Sequence, residues 1–83
     1  MNIGENVRLA RKRLGLSQTD LSNLVNLSRA TIVNIEKNRH NLNSDKIQEF
    51  SKVLSTTPNY LLGIDTNQQS EYYWETKYKE VNF

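Results

Sequence analysis

A chain of 83 residues, 36% hydrophobic and 24% charged, makes one small domain with at most a short appendage, and so modest a core would gain from oligomerisation. The lack of cysteine excludes disulfides and thiolate metal sites, and the single His40 excludes a multi-histidine site. No Gly-rich phosphate loop or nucleophile elbow appears either, so neither an enzyme nor a cofactor-dependent protein is expected.

The net charge of +2 is unevenly spread: residues 1–41 hold seven Lys/Arg against three acids, and residues 42–83 hold four Lys against six acids. The first half is thus the cationic half, as a phosphate-facing surface requires. Arg8, Arg11, Lys12 and Arg13 have no apolar run behind them, so they do not begin a signal peptide, and nothing reaches transmembrane length. A soluble, cytoplasmic protein that avoids membranes is the expectation.

The first predicted helix runs from Ile3 to Leu14, with Ile3, Val7, Ala10 and Leu14 as one apolar stripe, Asn2 as its cap and Gly15 as its stop. Leu16 then anchors a second helix. Ser17 caps it, with Asp20 completing an S-x-x-D variant of the capping box. Leu21, Leu24 and Val25 give this helix its apolar face. Asn26-Leu27-Ser28 breaks the pattern, and Asn tolerates the left-handed backbone that a sharp bend between helices needs. Ser28 caps a third helix with Ile32 and Ile35 inside and Arg29, Ala30, Val33 and Asn34 outside. That outer face suits the edges of base pairs: Arg bonds guanine, Asn bonds adenine, and small apolar groups meet a thymine methyl.

Asn38 to Asn43, with three Asn in six positions, reads as a loop anchored by Leu42. Ser44 is expected to cap a fourth helix, Asp45 to Leu54, with Ile47, Phe50 and Leu54 inside and Val53 beside them. Thr57 and Pro58 open a short fifth helix, PNYLL, which Gly63 stops. Leu61 completes the core, with Tyr60 or Leu62 at its edge. No period-two pattern persists, so the fold class is all-α, five helices around one core.

The segment Gln18–Lys37 is similar to the helix-turn-helix of the Cro/C1 (XRE-type) family of phage and bacterial repressors. Gln18, Leu21, Leu24, Val25, Leu27, Ser28, Thr31, Ile32, Ile35 and Glu36 carry the likeness, with RKRLGLSQ before them and an NYLLG ending after. It covers roughly residues 3–63, and departs from the family in having Asn26 where Gly is usual at the bend. The resemblance implies a lambda-repressor-like DNA-binding domain over 1–64 whose third helix enters the major groove. Ser28, Arg29, Ala30, Thr31, Val33 and Asn34 would then face bases. Gln18, in the first turn of its helix, and Lys37, Asn38, Arg39 and Asn41 would face phosphates. The resemblance also implies an ion pair between Arg11 and Glu36 that locks the fold.

Residues 65–83 combine a polar linker, DTNQQS, with a tail that holds five of the seven aromatics. Solvated tails are poor in aromatics, so this one is expected to dock. Trp74, Tyr78 and Val81 stand at i, i+4, i+7, and Tyr72 and Tyr73 join them as candidates for oligomerisation or partner binding. The expected function is sequence-specific binding of double-stranded DNA as a transcriptional regulator, a repressor by resemblance. The expected form is a homodimer on a palindromic operator with half-sites about 34 Å apart. The alternative is a protein-interaction module, antitoxin-like or controlled by a regulatory protein partner, that uses the aromatic tail.

Overall fold

The computed structural model describes residues 2–64. The expectations for the linker and the aromatic tail lie outside the described residues. Within them the chain forms five helices: α1 (Ile3–Arg13), α2 (Gln18–Leu24), α3 (Arg29–Glu36), α4 (Ser44–Val53) and α5 (Pro58–Leu62). No strand occurs among the described residues.

Each helix carries its own start and stop. At the five N-termini the side chains of Asn2, Ser17, Ser28, Asn43 and Thr57 accept from the backbone N–H three residues on, satisfying a donor with no partner inside the helix. At the five C-termini the chain turns through one left-handed residue: Gly15, Asn26, Asn38, Ser55 or Gly63, with φ between 56° and 73°. The N–H that follows each one reaches back to a carbonyl five residues earlier, from Leu16 to Arg11, Leu27 to Ser22, Arg39 to Asn34, Thr56 to Ser51 and Ile64 to Asn59. Asn26 thus takes the bend as its residue type predicts.

Three expectations need correction. The fourth helix is capped by Asn43 and begins at Ser44, one residue early, because two adjacent cap-competent residues compete and the first one wins. Leu14 is the C-cap of α1, one position past its last residue, and is 44% exposed: the apolar stripe runs on past the part of the helix that the core covers. Leu24 is 53% exposed, because the inner face of α2 is Leu21, Ser22 and Val25. Ser22 fits there by donating its hydroxyl to Thr19 O at 2.7 Å.

The core gathers Val7, Ala10, Leu21, Val25, Ile32, Ile35, Phe50, Leu54 and Leu61, one set drawn from all five helices or their caps. Ile3, Leu16, Leu27, Leu42, Val53 and Tyr60 pack around it, so Tyr60 takes the edge and Leu62 stays exposed. Helix α1 packs on both α3 and α5. On the α5 side the buried Asn6 Nδ2 donates to Tyr60 O and Leu61 O, each at 3.1 Å, and Arg13 lies over the Tyr60 ring at 5.4 Å. On the α3 side Gly4 lets two backbones meet. A Cβ there would fall 2.7 Å from Glu36 O and closer still to Ile35 O, and the Gly4 N–H donates to Asn38 Oδ1 at 3.0 Å.

Candidate nucleic-acid interface

Burial of Ile32 and Ile35 orients α3 and turns the rest of its circumference away from the core. Ser28, Arg29 and Ala30 are exposed, while Thr31, Val33 and Asn34 are half-buried rather than fully outside. The exposed end of α3 is therefore its N-terminal end. The Ser28 hydroxyl accepts from Thr31 N–H at 3.1 Å and shares a second hydrogen bond of 2.9 Å with the Thr31 hydroxyl. Each still has capacity for another partner.

At its other end α3 is pinned. Arg11 Nε lies 2.7 Å from Glu36 Oε2 and Arg11 Nη2 donates to Glu36 Oε1 at 3.1 Å, a two-pronged pair whose side chains are only 9% and 4% exposed. Arg11 Nη1 donates to Leu16 O at 2.8 Å, so the guanidinium is also tied to the turn that leads into α2. Gln18 joins the same centre, its Nε2 donating to Glu36 Oε1 at 3.2 Å. One carboxylate thus connects α1, α2 and α3. The spacing of Arg11 and Glu36 pointed to this pair only through the family likeness. The Gln18 bond and the Gly4–Asn38 bond had no local signal, since they span 18 and 34 residues.

The loop after α3 presents Lys37, Asn38, Arg39, His40 and Asn41, all exposed. Asn38 Oδ1 accepts from the Gly4 N–H, and its Nδ2 is the group it can donate to a ligand. From residue 21 to residue 44 the sequence contains one acid, Glu36, and that one is buried and paired. The outer surface of α3 and its loop is therefore cationic through Arg29, Lys37 and Arg39, with no carboxylate of that stretch facing solvent. Asp20 sits apart in the capping box, where the Ser17 backbone N–H, and then the Ser17 hydroxyl, hold its carboxyl below the ordinary range. Among the described residues no group of acidic or histidine side chains gathers as a metal site, and no helix is long and apolar enough to cross a membrane.

A family model described as helix-turn-helix matches residues 7–61. Repressor protein C2 of Salmonella phage P22 is 32% identical over 71 residues, which are 86% of this chain and 33% of that protein, so the chain spans about a third of its length. The DNA-binding domain of the P22 c2 repressor in solution superposes with a TM-score of 0.74 at 32% identity, covering 83% of this chain and 91% of that one. The P22 c2 repressor in complex with a synthetic operator gives 0.70 at 32% identity, covering 75% and 94%. The restriction-modification controller protein C.AhdI of Aeromonas hydrophila gives 0.67 at 28% identity, covering 72% and 91%. The match spans the capped α2–α3 bend and the helices that pin it, and the chain belongs to the Cro/C1 (XRE-type) helix-turn-helix family.

Proposed function

We propose that this chain is a sequence-specific DNA-binding transcriptional regulator, acting as a repressor, with α3 entering the major groove N-terminal end first. The observation that carries the reading is the electrostatic one: between residues 21 and 44 the only acid is buried against Arg11, leaving Arg29, Lys37 and Arg39 to face a polyanion. The complex of the P22 c2 repressor with a synthetic operator supports the same reading for a relative of 32% identity. Base edges would be read by Arg29, Ala30, Val33 and Asn34, with the hydroxyls of Ser28 and Thr31 beside them. Gln18, Lys37, Arg39, Asn41 and the Nδ2 of Asn38 would hold phosphates and set the register.

A domain of this size covers few base pairs, so a homodimer on a palindromic operator follows from the geometry of the groove. Exposed Leu62 and Ile64, at the point where the chain enters residues 65–83, support an apolar contact between subunits near that end. The aromatic segment with Tyr72, Tyr73, Trp74, Tyr78 and Val81 would extend that contact or take a regulatory protein. The site of action would be the cytoplasm, beside the DNA. Selection of bound sequences from a random duplex pool, followed by titration at several salt concentrations, tests the proposal. A palindromic consensus and an affinity that falls with salt, by a log–log slope of about 0.9 per phosphate, are expected. An affinity independent of salt and sequence refutes it.

A further inference from the structure

Glu36 has more donors around it than its ion pair with Arg11 requires. Its Oε1 accepts from Gln18 Nε2 at 3.2 Å as well as from Arg11 Nη2 at 3.1 Å, while its Oε2 takes Arg11 Nε at 2.7 Å. Gln18 itself is half-buried, at the first position of α2. Its amide would be ambiguous without this neighbour, because a half-turn about the last torsion exchanges an acceptor for a donor. An ionised carboxylate has no proton to give, so only the nitrogen end can face it.

We propose that Glu36 is a positioning residue for the DNA backbone. By accepting one Nε2–H of Gln18 it holds the amide so that the second Nε2–H is presented to a phosphate. The inference rests on the DNA-binding reading above and deepens it. A phosphate only accepts hydrogen bonds, so an amide that turned its oxygen outward would repel one. The carboxylate removes that orientation before DNA arrives, which shifts the cost of ordering the side chain from binding to folding. Its own charge would oppose a nearby phosphate, and the Arg11 guanidinium at 2.7 Å cancels it. Arg11 is buried and uses three of its five N–H groups inside the protein. Its Nε and Nη2 are held by Glu36 and its Nη1 by Leu16 O at 2.8 Å. A neutral amide displaces no counterion, so the contact adds affinity without adding to the salt dependence.

The test measures affinity for a random-sequence duplex at fixed salt for the unsubstituted chain, Gln18→Ala, Glu36→Gln and the double variant. Gln18→Ala is expected to weaken binding by roughly 12- to 160-fold, the range of one hydrogen bond to a charged group, on every sequence and with an unchanged salt slope. Glu36→Gln, at a temperature where circular dichroism shows its helix content intact, should weaken binding by a similar factor. The double variant should bind no worse than the weaker single. Multiplying losses would overturn the proposal, and so would a Gln18→Ala chain that binds as the unsubstituted one does; in both cases the DNA reading stands. If Glu36→Gln does not fold, side-chain amide relaxation in the unsubstituted chain decides by nuclear magnetic resonance. Gln18 should be rigid beside the exposed Gln48, and equal mobility of the two overturns the proposal. An unsubstituted chain that binds no duplex defeats the DNA reading itself, and the inference with it.

Discussion

Replacing Gly4 with Ala tests how closely α1 approaches the end of α3. Glycine is the second residue of α1, where alanine would ordinarily raise helix stability by up to about 1 kcal/mol, and by less near a terminus. Against that gain stands a Cβ only 2.7 Å from Glu36 O, where ordinary contact begins near 3.4 Å. The obstructing atoms are backbone carbonyls of the last turn of α3, held by Lys37 N–H on Val33 O at 3.1 Å and Asn38 N–H on Ile35 O at 3.0 Å. They cannot swing aside as a side chain would, so α1 has to move. Overpacking of this kind costs about 1–3 kcal/mol. The Gly4–Asn38 hydrogen bond lengthens or breaks as well, at a cost of about 1 kcal/mol. The clash wins, with a net loss of about 1–3 kcal/mol. In a domain of this size that lowers the melting temperature by about 5–20 °C. Thermal melts followed by circular dichroism, with the exposed Arg8→Ala as control, measure it. A variant as stable as the control would show that the two backbones do not meet, and the account of how α3 is pinned would fail. Asn38→Gly isolates the hydrogen bond alone, since glycine keeps the left-handed conformation without strain.

Three other outcomes are expected. Arg11→Ala or Glu36→Ala should each lose about 3–5 kcal/mol in urea denaturation, because either leaves a buried charge unpaired, whereas Arg11→Met with Glu36→Leu should lose less than the two singles together; additive losses would deny the pairing. Asn34→Ala should lower affinity for the selected operator by roughly 1–3 kcal/mol and hardly touch random duplex, while Arg39→Ala should weaken both alike and flatten the salt slope by about one unit. A change of preferred base in Arg39→Ala would move that loop into a groove. The lowered Asp20 carboxyl gives a pH dependence of known sign: its stabilisation is complete above the ordinary value of 3.8 and is lost as pH falls through the lower folded value. Asp20→Asn should flatten that acid limb, as read by amide exchange in the first turn of α2. An unaltered limb would remove Asp20 from the cause.

The elements were legible because their signals are local. Asn2, Ser17, Ser28 and Thr57 are cap residues placed just before apolar periodicity, and the structure uses all four. Asn43 and Ser44 differ by one position for the same reason, two competent caps side by side. Leu14 and Leu24 misled because an apolar residue near a helix end does not say where the core stops: Leu14 lies past the last residue of α1, and the inner face at the end of α2 is Leu21, Ser22 and Val25. Gly4 and Asn6 gave no sign of their roles. A glycine early in a helix looks merely weak, and an asparagine on an apolar stripe looks misplaced, until tertiary packing brings Glu36 O or Tyr60 O against them. The outward set on α3 was readable from two inward isoleucines alone, though not the half-burial of Val33 and Asn34, which depends on how neighbouring elements crowd its flanks.

The caps at both ends of α3 make it replaceable in part. Ser28 sets its beginning and Asn38 its end, and Ile32 and Ile35 fix its rotation. None of these tasks falls to Arg29, Ala30, Val33 or Asn34. Exposed Arg29 and Ala30 can drift or be exchanged in an evolving lineage, or be rewritten in the laboratory, and half-buried Val33 and Asn34 can change within the room their flanks leave, while the helix keeps its length, its angle and its hold on the rest of the domain. Novelty is confined to one strip of side chains, and the scaffold beneath it stays conservative.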